Sequence, residues 1–238
     1  MTTLQAAVVG KHALVLADGG RPTRAGLDAA WPGWAEGVAL VVAADGGARL
    51  AADLGVEIDL WVGDGDSLGQ VELDRLRASG VPIELAREDK DESDAELGLL
   101  AALRRGATEV TILGGLGGAR FDHAIANVAL LAHPALGGRP ARLLDDRTRV
   151  TLLSAVRGGT GPVRLELVGR AGDLVSLLPF GGRVDGVTTS GLRFGLHDEP
   201  LAAGPARGLS NVRIAPLAWV EARTGRMLIV ESPATLSP

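Results

Sequence analysis

The sequence predicts an α/β protein: an N-terminal, mostly parallel sheet with helices on both faces, followed by a C-terminal antiparallel β-sandwich or barrel. Three observations carry this reading. Short apolar runs alternate with segments of helical length and composition up to about residue 147, as in sheets covered by crossover helices. Several of those runs end in Gly or Asp, where ligands bind in open α/β sheets. Beyond residue 147, short strand-like runs follow one another between Gly, Pro and Asp, and no stretch has the length and period of a helix. The expected division is 1–147 and 148–238, with Asp145-Asp146-Arg147 as the hinge region.

In the first part, the apolar runs Ala13–Ala17, Val38–Ala43, Leu60–Val62, Ile83–Ala86 and Val110–Leu113 read as buried strands. Between them Ala48–Leu54, Val71–Ala78, Asp94–Arg105 and Asp122–Ala132 read as helices. In the second part, Val150–Leu153, Val163–Val168, Leu174–Leu178, Gly191–Leu196, Val212–Ile214 and Met227–Val230 are the strand candidates. The Pro-containing segment Ser232–Pro238 is expected to fray.

Composition excludes several classes. With 238 residues, 46% of them hydrophobic and 22% charged, the chain has ample material for a core. A net charge of -5 argues against general nucleic-acid binding, which needs a concentrated basic surface. No cysteine is present, so disulfides, thiolate nucleophiles and cysteine-ligated metals are excluded. The 22 arginines against 2 lysines, with no tyrosine, read as genome composition. Met1–Ala7 carries no basic segment, and no apolar run approaches the roughly 20 residues a bilayer requires. A cytoplasmic protein acting away from membranes is therefore expected.

The densest chemical signal is Gly63-Asp64-Gly65-Asp66-Ser67, directly after an apolar run. Two carboxylates held together call for a compensating cation, and a hard ion such as Mg²⁺ favours oxygen ligands that it shares with phosphates. An acidic turn accounts for the same letters, since Asp and Gly both favour turns. A second cluster runs Glu88 to Glu96. Ser93 and Glu96 match a capping box, and Glu88, Asp89 and Glu92 read as a solvated charge run. Neither explains Lys90 beside Asp91: the lysine suits a phosphate, and Asp91 or Asp94 a metal. The third cluster is Gly114-Gly115-Leu116-Gly117-Gly118-Ala119-Arg120-Phe121-Asp122-His123, joining a strand to a helix. Its glycines let backbone approach a ligand, and helix N-terminal amides attract phosphate.

No P-loop motif and no G-x-G-x-x-G occur, and the four histidines lack H-x-x-x-H spacing, so a P-loop enzyme, a dinucleotide dehydrogenase and a histidine zinc site are disfavoured. Gly65-Asp66-Ser67-Leu68-Gly69 also fits an esterase G-x-S-x-G or GDSL pattern, but two adjacent carboxylates oppose an oxyanion and no D-x-x-H follows.

Taken in order, these clusters resemble the thiamine pyrophosphokinase family, with its GDxDS element, its K-D-x-[TS]-D-x-E helix start and its glycine loop ending in R-x-D-H. Ala44-Asp45-Gly46-Gly47 matches the family's ADGG element, Gly186–Leu192 its T-T-S-G-L region, and Leu209-Ser210-Asn211 its S-N element. The resemblance covers nearly the whole chain. It implies ATP-dependent pyrophosphoryl transfer to thiamine, giving thiamine diphosphate and AMP, in a homodimer with sites between subunits. It further implies Asp64, Asp66 and Asp94 as Mg²⁺ ligands with Asp45 and Asp91 nearby, and a cluster carboxylate such as Asp91 as proton acceptor. Lys90, Arg120 and the amides of Gly115, Gly117 and Gly118 would hold ATP phosphates, and Asp122 and His123 would line that loop. Phe194, where the family commonly has Trp, would stack on thiamine, with Ser210 and Asn211 beside it. Gly65 in place of Phe and the extra Ala119 depart from the family pattern. The alternatives are a pyrophosphokinase for another hydroxymethyl heterocycle such as a pterin, a GDSL-type hydrolase, and a non-catalytic nucleotide sensor.

Overall fold

The computed structural model describes residues 10–87, 89–156 and 161–234, so Glu88 and the end of the 232–238 tail lie outside the described residues. The chain divides into two compact units, Met1–Arg24 with Ala35–Ala141, and Ala25–Trp34 with Arg142–Pro238. A short helix that the sequence reading did not assign, α1 (Arg24–Ala30), thus falls almost wholly in the second unit.

In the first unit, β1 (His12–Leu16), β2 (Val38–Ala44), β3 (Leu60–Gly63), β4 (Ile83–Leu85) and β5 (Glu109–Leu113) pair in parallel in the order β5-β1-β2-β3-β4. The central β1 is buried at all five residues, whereas the edge strand β4 is only partly covered. Burial on both faces is why the inner strands read as continuous apolar runs.

Helices cover both faces. Neighbouring residues of a strand point to opposite sides. Ala43 packs with Trp61 and Leu68, with Ala48 of α2 (Ala48–Leu54) and with Leu73 of α3 (Gln70–Ala78). On the other side, Ala44 and Val15 meet α4 (Asp94–Arg104) at Gly98, where an added Cβ would come within 2.6 Å of Val15. The buried residues of α4, Ala95, Gly98, Leu99 and Ala102, form the stripe expected of a helix packed on a sheet. Ser93 caps α4 by accepting from the Glu96 amide at 3.2 Å. Glu96 turns its carboxylate to His133 Nε2, 3.2 Å away, so one arm of the capping box is made. Helix α5 (Phe121–Ala129) follows β5 and continues as a 3-10 turn, Leu130–Ala132.

The second unit is a sandwich. Strands β6 (Ala141–Leu144), β7 (Arg149–Ala155), β9 (Leu174–Pro179), β12 (Asn211–Val212) and β14 (Gly225–Ser232) pair antiparallel in the order β12-β9-β14-β7-β6. The facing sheet is β11-β10-β13-β8, from β8 (Val163–Val168), β10 (Val184–Ser190), β11 (Glu199–Leu201) and β13 (Leu217–Ala222). Val175, Leu177, Met227 and Ile229 of one sheet meet Val184, Val187, Ala218 and Val220 of the other in a common core. Asp145–Arg147 forms the tip of the β6–β7 hairpin, where Asp145 Oδ1 accepts from the Arg147 and Thr148 amides at 2.8 and 2.6 Å.

One expected strand is corrected. Gly191–Leu196 is a loop, with a single bridge between Leu192 and Arg213. Gly191 has φ +74°, which turns the chain out of the sheet, and the strand lies just before it at Val184–Ser190. Within this unit the Trp31 indole donates to Asp145 O at 2.7 Å, and Arg170 caps the end of α1 by donating to Ala29 O and Ala30 O. Among the described residues, no helix is long and apolar enough to cross a membrane.

Candidate active site

The chain order of the first unit places β2, β3 and β4 to one side of β1, then returns through α4 to set β5 on the other. The carboxyl ends of β1 and β5 therefore flank a topological switch point, the position at which such sheets bind ligands. Loops after β1, β2, β3 and β5, with the start of α4, converge there on a cleft of about 260 Å³ whose lining includes Asp18, Asp45, Ser67, Asp94, Arg120 and His123.

Asp45 is the buried anchor of this end. It is 1% exposed and has φ +42°, a region that costs most side chains energy but that Asp tolerates. The Trp61 indole donates to its carbonyl at 3.0 Å, and its carboxylate accepts the Ser67 and Leu68 amides at 3.0 and 3.3 Å. Burial, the largest effect, raises its pKa against those hydrogen bonds. Oxygens of Asp45, Asp64 and Asp66 lie within 4.8 Å of one another. Three carboxylates at that spacing fit a hard divalent cation. Asp64 Oδ1 also accepts the Asp66 amide at 3.1 Å, and Ser67 Oγ donates to Asp66 Oδ1 at 3.0 Å.

Lys90 sits beside this group, donating 2.7 Å bonds to Asp64 Oδ2 and to Asp94 Oδ1, four residues further on at the start of α4. The lysine is the largest cause holding Asp64 below the ordinary carboxylate range, while burial lowers the Lys90 pKa and the two carboxylates outweigh it. Asp94 thus enters the site as a partner of Lys90, and the acid grouped with Asp64 and Asp66 is Asp45. Asp91 is exposed and outside that group.

The glycine loop after β5 is folded against the end of β1. An added Cβ at Gly114, whose φ is +71°, would lie 2.1 Å from Ala17 O. Gly19 and Gly20 donate to Gly114 O and Leu116 O at 2.8 Å, and buried Asn127 of α5 donates to Gly115 O at 2.9 Å. Gly117, Gly118 and Arg120 are exposed at the rim, as is His123. The Arg120 guanidinium bonds Asp122, and that bond is the largest cause holding the Asp122 pKa far below its ordinary range.

Three contributors were missed from sequence. Asp18 stands in Ala17-Asp18-Gly19-Gly20, the same tetrapeptide as Ala44-Asp45-Gly46-Gly47, and that repetition was the available signal. Arg49 donates to Ser67 O and Leu68 O at 2.7 and 3.1 Å and lies 3.7 Å from Asp18. Arg49 and Asn127 serve backbone carbonyls, which leave no mark on residue type. The esterase pattern finds no support: the Leu68 amide, which an elbow would aim at an oxyanion, is held by Asp45.

In the second unit Phe194 is 64% exposed on the loop after β10. Ser210 is exposed with φ +56°, its amide donating to Ser176 Oγ at 3.0 Å. Asn211 is buried, and its side chain bonds the backbone of Phe194.

Carboxylates, a lysine and a glycine loop at a sheet switch point, joined in one chain to a β-sandwich, define an enzyme of phosphoryl-transfer type. Residues 34–139 match the thiamin pyrophosphokinase catalytic domain model, and residues 163–226 match the thiamin pyrophosphokinase vitamin B1 binding domain model. The chain belongs to the thiamin pyrophosphokinase family. It is 23% identical over 200 residues to a thiamine pyrophosphokinase of Bacillus subtilis, covering 84% of this chain and 90% of the relative. Its fold is similar to the crystal structure of a Bacillus subtilis thiamine pyrophosphokinase (TM-score 0.78, 22% identity, 94% and 99% of the two chains). It is also similar to the thiamin pyrophosphokinase from Candida albicans (TM-score 0.68, 14% identity, 95% of each chain).

Proposed function

We propose that this family member transfers the pyrophosphoryl group of ATP to the hydroxyl of thiamine, releasing thiamine diphosphate and AMP. The observation that carries the reading is the convergence of Asp45, Asp64, Asp66 and Lys90 with the 114–120 loop on one end of the sheet. Transfer of this kind needs positioning and charge neutralisation more than covalent participation.

Asp45, Asp64 and Asp66 would hold Mg²⁺, with Asp94 joined to them through Lys90. When bound, the ion neutralises phosphate charge and orients its oxygens. Lys90, Arg120 and the amides of Gly117 and Gly118 bind phosphates, while Gly115 is buried outside the cleft lining; Asp122 orients Arg120, and His123 lines the cleft. A carboxylate among Asp64, Asp66, Asp91 and Asp94 takes the proton of the thiamine hydroxyl. Phe194 and Ser210 face thiamine, with Asn211 behind them. The family resemblance supports a cytoplasmic homodimer with sites between subunits, which sedimentation of the purified chain tests.

The deciding experiment is incubation with ATP, Mg²⁺ and thiamine, followed by chromatography. Thiamine diphosphate and AMP in equal amounts, lost on adding EDTA, are expected. ADP in place of AMP, or turnover of a pterin and not of thiamine, would reject the reading.

A further inference from the structure

Phe194 is an apolar ring held out in water on a loop that has no strand ladder of its own. Buried polar side chains hold the loop instead. Asn211, 6% exposed, accepts the Phe194 amide through Oδ1 at 2.9 Å and donates Nδ2 to the Phe194 carbonyl at 2.7 Å. One carboxamide therefore offers a donor and an acceptor to the same residue, as a neighbouring strand would. The same Oδ1 accepts the Val212 amide at 2.9 Å, which uses both of its lone pairs and leaves no acceptor for a ligand. Two residues further on, buried Thr189 accepts the Leu196 amide at 2.9 Å, and Thr188 accepts the Asp198 amide at 3.1 Å. The backbone adds bonds from Arg193 N to Val212 O and from Ile214 N to Gly191 O.

We propose that Asn211 is a positioning residue for substrate binding: it touches Phe194 and not thiamine, and it fixes the ring as a preformed shelf for the substrate's heterocycle. The inference rests on the reading of Phe194 as thiamine-facing. A preformed shelf spares the loop-ordering cost at the moment of binding. The clamp therefore acts on thiamine affinity and leaves the phosphate end of the reaction alone.

The test is a double-mutant cycle with Asn211→Ala and Phe194→Ala, read as thiamine KM, ATP KM and kcat, together with hydrogen exchange at the Phe194 amide in the absence of substrate. Phe194→Ala is expected to raise the thiamine KM about tenfold, and Asn211→Ala to do the same. In the Phe194→Ala background the Asn211 substitution adds less than about twofold, because its effect passes through the ring. The Phe194 amide, protected in the parent, exchanges at least about tenfold faster in Asn211→Ala. An equal effect of Asn211→Ala in both backgrounds would mean that it contacts thiamine itself, and overturns the proposal. A Phe194 amide that stays protected overturns it as well. An unchanged thiamine KM in Phe194→Ala sinks the thiamine reading of that ring, and exchange then decides the clamp alone. If Asn211→Ala fails to fold, Asn211→Asp serves, since it keeps the acceptor and sets a carboxylate against the Phe194 carbonyl.

Discussion

The Lys90 ammonium lies 2.7 Å from Asp64 Oδ2, and the two side chains are only 12% and 11% exposed. Asp64 is thus an enclosed, paired carboxylate. Removing its charge by Asp64→Asn is expected to abolish thiamine diphosphate formation and to cost about 1 kcal/mol, because Asp94 still satisfies Lys90. Lys90→Met leaves both carboxylates without a cation and is expected to cost about 3 kcal/mol. Urea unfolding of the two variants checks the order; equal losses would mean that the pair contributes nothing beyond its separate parts.

Gly47 has no room for a side chain. An added Cβ would sit 2.0 Å from Leu16 O, a backbone atom of the central strand. Gly47→Ala is expected to cost about 3 kcal/mol, which lowers the Tm by roughly 10 °C. Calorimetry that finds no change would show that the end of β2 yields easily.

Arg120 is exposed and bonded to Asp122 at the rim of the cleft. An exposed pair contributes little to stability, so its value lies in what the guanidinium meets. Arg120→Ala is expected to raise the ATP KM about tenfold with an unchanged Tm. A normal ATP KM would remove Arg120 from the phosphate site.

Asp145 offers a prediction with a defined sign in pH. Burial raises its pKa despite the bonds from the Arg147 and Thr148 amides. A carboxyl that holds its proton more tightly when folded adds stability as pH falls through its raised pKa toward the ordinary 3.8, and lacks that increment at neutral pH. Both amides bond Oδ1, which Asn retains. Asp145→Asn is expected to be more stable than the parent at pH 7 and to lose that advantage as pH falls through the raised pKa toward 3.8. Unfolding curves of the two proteins across that range give the difference directly, and a constant difference would contradict it.

The inner strands of the first unit were legible because burial on both faces leaves unbroken apolar runs, as at Leu14–Leu16 and Val41–Ala43. The acids and the glycine loop were legible because carboxylates and glycines after a strand are chemically costly without a purpose. Strand β10 was not, since Asp185, Thr188, Thr189 and Ser190 look like loop residues. Two of them are polar because their hydroxyls anchor the following loop. The short α1 was hidden by its length, and Arg49 by partners that are carbonyls. Asn211 stood out in the sequence only as part of the S-N element, and its hold on Phe194 depends on a turn that only the fold reveals.

The pairing of β1 with β5 sets a timetable for the nascent chain. His12 and Thr111, 99 residues apart, meet side chain to side chain at 2.8 Å, and the glycine loop starts three residues beyond Thr111. Closing so long a segment is an entropic cost met before the contacts reward it. During synthesis, the acid loops of β2 and β3 emerge well before the strand that completes their cleft. A chain held on the ribosome short of β5 would carry its carboxylates with no opposing glycine loop, so the proposed nucleotide cleft is complete only after that strand has docked.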